Sequence, residues 1–212
     1  VEYPGREEAA RRAALYVLGL RADIVTAANS TGALGVSPQF LGAIVAVEMM
    51  NRGADVDREI AFAKAIHLGD PSISVTQLKL SALAMLQGKI PWIEAAAPAD
   101  EARKRAEGQV EEGYAKLNKS QKEALLATLA NPKTAVAVTA QYLVKLKNRS
   151  NRFPAYDAGD MHKYGMREPA IIATEYNLGP SQSRREAAMS SDYGDAVARL
   201  AAQSAMDSIL GL

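Results

Sequence analysis

The chain has 212 residues, of which 48% are hydrophobic, enough for one substantial core or two small lobes around a cleft. A formal net charge of +1 excludes the strong positive field that would make nucleic acid the default partner. No apolar run approaches the roughly 18–20 residues of a membrane span, and the absence of cysteine excludes disulfides and thiolate metal sites. The first twenty residues mix Glu2, Glu7 and Glu8 with arginines and lack a small-residue cleavage pattern, so they do not read as a signal peptide. His67 and His162 stand in unrelated contexts and suggest no zinc site. Gly-rich phosphate loops and a Gly-x-Ser-x-Gly turn are absent, so neither a metal nor a cofactor is expected.

Helical spacing runs from Gly5 to Ala28 and stops at Asn29-Ser-Thr-Gly32. Ser37-Pro38 then offers an N-cap followed by proline at the first helical position, and Asn51-Arg-Gly53 closes the helix it opens. A third helix is predicted from Asp55 or Asp57 through Ile66. Residues 69–76 are turn-rich and alternate Ile73 and Val75 with hydroxyls, which suits a small hairpin or an extended loop. Helical spacing resumes over Gln77–Gln87, and residues 88–100 read as a connection. Residues 98–117 form a charged amphipathic pattern, and Ser120-Gln-Lys-Glu123 reads as a capping box for the next helix. Asn131-Pro132 repeats the cap-plus-proline device. Residues 148–167 are irregular and hold Phe153, Tyr156, Met161, His162 and Tyr164. Glu168-Pro169 opens a short helix ending near Gly179-Pro180, and one last helix is predicted from Ser191 to Leu210. The expected class is mainly α with at most one small β-hairpin, in a single domain over 1–212 whose first 32 residues are either part of it or an extension.

Glu48 is the one carboxylate in an apolar helical run, on a stripe with Leu41 and Ile44 that should face the interior. Burial disfavours the charged form of a carboxylate, and a carboxyl group that holds its proton near neutral pH can act as a general acid. The simpler reading places Glu48 at the helix rim, meeting solvent or a basic partner.

Four segments together resemble the lysozyme-like superfamily, in its goose-type lysozyme and lytic transglycosylase branch. Pro38-Gln-Phe-Leu-Gly-Ala-Ile-Val-Ala-Val-Glu48 is similar to the helix leading to that family's catalytic glutamate, with Met49 where a serine is usual. Pro71-Ser-Ile-Ser-Val-Thr-Gln77-Leu-Lys resembles its short β element, with Ser74 and Val75 in place of glycines. Ala170-Ile-Ile-Ala-Thr-Glu-Tyr176-Asn177-Leu-Gly179-Pro180 resembles its Ala-Tyr-Asn-Ala-Gly-Pro signature, and Asp192-Tyr193-Gly-Asp-Ala-Val197 its terminal Tyr-x-x-x-Val segment. The likeness runs from about residue 33 to 200.

That resemblance implies a helical domain with a cleft that cleaves the MurNAc–GlcNAc β-1,4 bond of peptidoglycan, with Glu48 as general acid. Glycan strands would be the partner, and the working location periplasmic or extracellular; an inhibitor or immunity protein stays open as a further partner. Transglycosylase members use no second carboxylate, the substrate's N-acetyl group assisting and a 1,6-anhydro product forming; no second carboxylate signature is visible here, which tilts the expectation toward that chemistry. A hydrolase needs a second carboxylate for water. Asp70, at the start of the hairpin segment, is the candidate for that role, although a turn former beside Pro71 explains it as well. The resemblance also assigns substrate contacts to Thr76, Gln77, Tyr176 and Asn177, with Gly179 shaping the turn. The departures at Met49, Ser74 and Val75 leave a second expectation, a non-catalytic helical module that binds glycan or protein.

Overall fold

The computed structural model describes residues 7–32, 35–52, 69–70, 72–93, 100–148, 167–179 and 191–212. The elements are α1 (Glu7–Ser30), α2 (Pro38–Arg52), β1 (Ser72–Ile73), β2 (Leu78–Lys79), α3 (Leu80–Leu86), α4 (Asp100–Ala115), α5 (Lys119–Ala130), α6 (Pro132–Asn148), α7 (Arg167–Leu178), α8 (Asp192–Ala201) and α9 (Ser204–Leu210). The class is mainly α. Its one hairpin among the described residues is antiparallel, with Ser72 opposite Lys79 and Ile73 opposite Leu78. The helix predicted over 55–66, the histidines His67 and His162, the aromatic stretch 153–164 and Pro180 lie outside the described residues.

At the start of α2, the amide of Phe40 donates to Ser37 Oγ at 3.2 Å, the cap foreseen from Ser37-Pro38. A single inward stripe was expected on this helix, yet every residue from Phe40 to Met49 is buried. An α-helix that is apolar all round is covered all round. Here α1, α6, α8 and α9 supply the cover.

The helices fall into two groups. In one, α1, α2, α7, α8 and α9 pack on one another. In the other, α3 packs against β2, α4 and α5, and α5 also touches β1. Helix α6 contacts members of both, reaching α1, α2 and α7 on one side and α3 and α5 on the other. Its last turn is tied in by the buried Lys147, whose ammonium donates to Gly35 O at 2.8 Å just ahead of α2.

Three boundaries differ from expectation. Residues 77–79 are not helical: Gln77 has φ 51°, and Leu78 and Lys79 pair with β1 before α3 begins. The capping box at α5 lies two residues earlier than the Ser120–Glu123 motif. Asn118 Oδ1 accepts from Gln121 N and Gln121 Oε1 accepts from Asn118 N, both at 2.9 Å. Asn caps as well as Ser does, so both registers satisfy the motif and packing decides between them. The final helix is two helices, α8 and α9, broken at Ala202–Gln203. The break turns Met206 and Leu210 inward against Gly42 of α2, where Met206 Sδ lies 3.1 Å from the position a Cβ would take.

Chemical denaturation distinguishes the two capping registers. Asn118→Ala should cost about 1 kcal/mol, while Ser120→Ala should leave stability within about 0.5 kcal/mol of wild type; equal effects would contradict the observed box.

Candidate active site

Between the two helix groups lies a cleft open to solvent. Glu48 of α2 and the segment Tyr176–Gly179 of α7 line one side; Asp70, Gln77, Lys79 and Ser81 from the hairpin region, with Glu107 and Glu111 of α4, line the other. Tyr142 of α6 joins the lining between them.

Glu48 is 6% exposed, among the most buried charged groups described. Tyr193, in the first turn of α8, donates its hydroxyl to Glu48 Oε1 at 2.8 Å. A local lock sets that tyrosine. Ser191 caps α8 by accepting from Gly194 N at 3.2 Å, and Thr174 Oγ1 accepts from Ser191 N at 2.8 Å. Gly194 is required at this crossing, since a Cβ there would lie 2.0 Å from Ala170 O and 2.2 Å from Thr174 Oγ1. Thus α8 approaches α7 closely enough for Tyr193 to reach the acid.

Tyr176 was expected to donate to the acid or to substrate. Its hydroxyl instead donates to the backbone carbonyl of Thr76, while its ring packs edge-on to Tyr142 at 6.0 Å. The phenol is held well above its ordinary range, chiefly by burial and then by the negative charge of Glu48 nearby. Thr76 is fully buried and does not line the cleft; its hydroxyl accepts from Thr139 Oγ1 at 2.9 Å. These two residues fasten the hairpin to α6 and α7.

Asp70 lines the cleft, but its Oδ1 accepts the amide of Ser81 at 2.7 Å. The N-cap residue of α3, Lys79, makes no side-chain cap bond, so Asp70 caps this helix from outside it. Gln77 lines the cleft and donates to Ser74 O at 2.8 Å, stabilising its own turn. Asn177 is exposed at the cleft edge. Gly179 ends α7 with φ 80°, its amide bonding Glu175 O at 2.8 Å in the left-handed exit glycine favours.

Glu48, Asp70, Gln77, Tyr176, Asn177 and Gly179 are therefore brought together, and Thr76 lies beneath them. Sequence reasoning did not single out Tyr193, Glu107 or Glu111 as site residues. The Glu107–Glu111 spacing of four residues places both on one helix face, the signal that could have found them. Among the described residues, no three His, Cys, Asp or Glu side chains are grouped to hold a metal ion, and no helix is long and apolar enough to cross a membrane. Comparison with protein families, curated proteins and solved structures gives no match.

The phenol of Tyr176 predicts an alkaline limit. Its folded pKa lies above the unfolded value of about 10, so the folded state keeps a proton that the unfolded chain releases. The associated stability is full below about pH 10 and falls as pH rises beyond it. Denaturation midpoints measured from pH 8 to 11 should decline at the top of this range, and Tyr176→Phe should flatten the decline while lowering stability at pH 8.

Proposed function

We propose that this protein cleaves the MurNAc–GlcNAc β-1,4 bond of peptidoglycan, with Glu48 protonating the leaving glycosidic oxygen. The observation that carries this reading is a buried carboxylate opening onto a cleft where Gln77 and Tyr176–Gly179 also converge. These residues come from segments far apart in the chain, the ones whose patterns resemble the lysozyme-like superfamily.

The chemistry follows from the surroundings. An apolar helix disfavours a charged carboxylate, which favours the protonated form a general acid needs. The Tyr193 hydroxyl fixes which way the carboxyl group faces. Asn177 at the edge and Lys79 on the opposite side offer a donor and a cation to the amides, hydroxyls and lactyl or stem carboxylates of a glycan strand. The substrate sets the working location as periplasmic or extracellular.

The cleft also bears on the type of cleavage. Three carboxylates besides Glu48 line it, those of Asp70, Glu107 and Glu111. That arrangement favours activated water over the substrate-assisted route that the sequence alone suggested.

Glu48→Gln should lower turnover of purified peptidoglycan by about 10²–10⁴-fold, the usual worth of a positioned acid. Tyr193→Phe should reduce kcat by roughly tenfold, the loss expected when an orienting hydrogen bond of about 1.5 kcal/mol is removed from the acid. If wild type binds glycan strands but cleaves them no faster than Glu48→Gln, the protein is a non-catalytic glycan-binding module instead.

A further inference from the structure

We infer that Thr174 is a positioning residue for the acid: its hydroxyl, buried in α7 and outside the cleft, acts on Glu48 through Ser191 and Tyr193 at the start of α8. The kinetic consequence rests on the glycan-cleaving reading above; the consequence for the Glu48 carboxyl group does not. A buried position between packed helices suits apolar side chains, as the neighbouring Ala170, Ile171, Ile172 and Ala173 show. A hydroxyl there is costly unless its hydrogen bonds are made. Thr174 is 1% exposed, and it makes them toward α8.

Counting hydrogens gives each bond its direction. Thr174 Oγ1 has one hydrogen and donates it to Ala170 O, one turn back on α7, at 2.8 Å. Its lone pairs remain for α8. One accepts the amide of Ser191 at 2.8 Å. The two hydroxyl oxygens lie 3.1 Å apart, and since the threonine hydrogen is committed, Ser191 is the donor of that pair. Ser191 Oγ in turn accepts Gly194 N at 3.2 Å, and Ser191 O accepts Asp195 N at 2.9 Å. One threonine oxygen thereby holds both the backbone and the side chain of the residue that caps α8.

Tyr193 sits inside the turn so held, between Ser191 and Gly194, and donates to Glu48 Oε1 at 2.8 Å. Helix ends are where local opening costs least, and a cap is what opposes it. A first turn of α8 that opens carries Tyr193 away from the carboxyl group. Loss of the threonine hydroxyl is therefore felt at the acid as loss of the tyrosine bond. Thr174 does not line the cleft, so its effect has to pass through Tyr193.

The test combines Thr174→Val, which removes the hydroxyl at nearly constant volume, and Thr174→Ser, which keeps it, with Tyr193→Phe in a double-mutant cycle. On purified peptidoglycan, Thr174→Val should lower kcat by roughly tenfold with KM within about twofold, and Thr174→Ser should stay within about threefold of wild type. With Tyr193→Phe already present, Thr174→Val should lower kcat by less than about twofold, since the bond it acts through is gone. Carbon-13 NMR of the Glu48 carboxyl group needs no turnover. There Thr174→Val should move the titration midpoint upward, a hydrogen bond to the charged form being lost, and should leave it unmoved in the Tyr193→Phe background. If Thr174→Val does not fold, Ser191→Ala breaks the same path and takes its place in the cycle. Losses that add to those of Tyr193→Phe, a Thr174→Ser no better than Thr174→Val, or an unmoved Glu48 midpoint would each overturn the assignment, since a purely structural threonine gives those results. An inactive wild type whose Glu48 midpoint still answers to Thr174 through Tyr193 removes the glycan-cleaving reading and leaves the positioning role standing.

Discussion

A carboxyl group on a helix that is covered nearly all round must be held largely by the protein, because little of it meets water. Leaving a buried polar group without a partner costs about 1–3 kcal/mol, while a hydrogen bond made to it returns about 0.5–1.5 kcal/mol. Around Glu48 one such bond comes from Tyr193, and much of the packing of α7 and α8 serves to deliver it. The Thr174 hydroxyl holds Ser191, Ser191 holds the first turn of α8, and Gly194 permits the helix crossing. Helix α2 cannot turn the carboxylate outward, since α1, α6, α8 and α9 cover it. The acid is therefore placed by the core itself, and a change in core packing becomes a change in the site.

The opposite side of the cleft is built more lightly. A two-residue pairing such as β1–β2 has little stability of its own. It gains position from three attachments: Tyr176 to the Thr76 carbonyl, Thr139 to the Thr76 hydroxyl, and the Tyr114 hydroxyl to Gly69 O at 3.0 Å. The first two come from α7 and α6. Helix α6 thereby spaces the two sides, touching both groups and contributing Tyr142 to the lining. The third comes from α4, so the helix that carries Glu107 and Glu111 also fixes the chain leading into the hairpin.

Local chemistry was legible in the sequence wherever one residue type had one task. Ser37-Pro38 announced the start of α2, the apolar run announced the burial of Glu48, and Gly179 announced the end of α7. Choices among equivalent residues were not legible. Asn118 and Ser120 both satisfy a capping pattern, and only the packed helix selects the first. Tyr176 and Tyr193 both lie in segments that could face Glu48. Which one reaches it depends on a helix crossing set by Gly194, a tertiary fact without a local signature. The break between α8 and α9 contains neither glycine nor proline, so it was hidden; the inward turn of Met206 and Leu210 toward Gly42 explains it. Glu107 and Glu111 were legible as a pair on one helix face, but not as a cleft wall, because α4 is brought to the cleft by its packing on α3 and by the Tyr114 bond to Gly69 O.

The hairpin loop shows how a turn can form without the glycines that its conformation favours. The resemblance leads one to expect glycine in the run before Gln77, and the chain has Ser74 and Val75. Ser74 nevertheless adopts φ 77° and Gln77 φ 51°, the left-handed region that glycine occupies without strain. For residues with a Cβ this costs about 1–2 kcal/mol each. Two bonds to one acceptor offset part of it, as Gln77 N and Gln77 Nε2 both donate to Ser74 O, at 3.1 and 2.8 Å. Burial of Val75 and Thr76 contributes as well, and glycine could supply neither side chain. The turn is thus kept by side-chain bonding and burial where glycine would keep it by conformational freedom. The consequence is stiffness: a strained, buried loop fastened at Thr76 holds Gln77 at the cleft with less latitude than a glycine loop would allow.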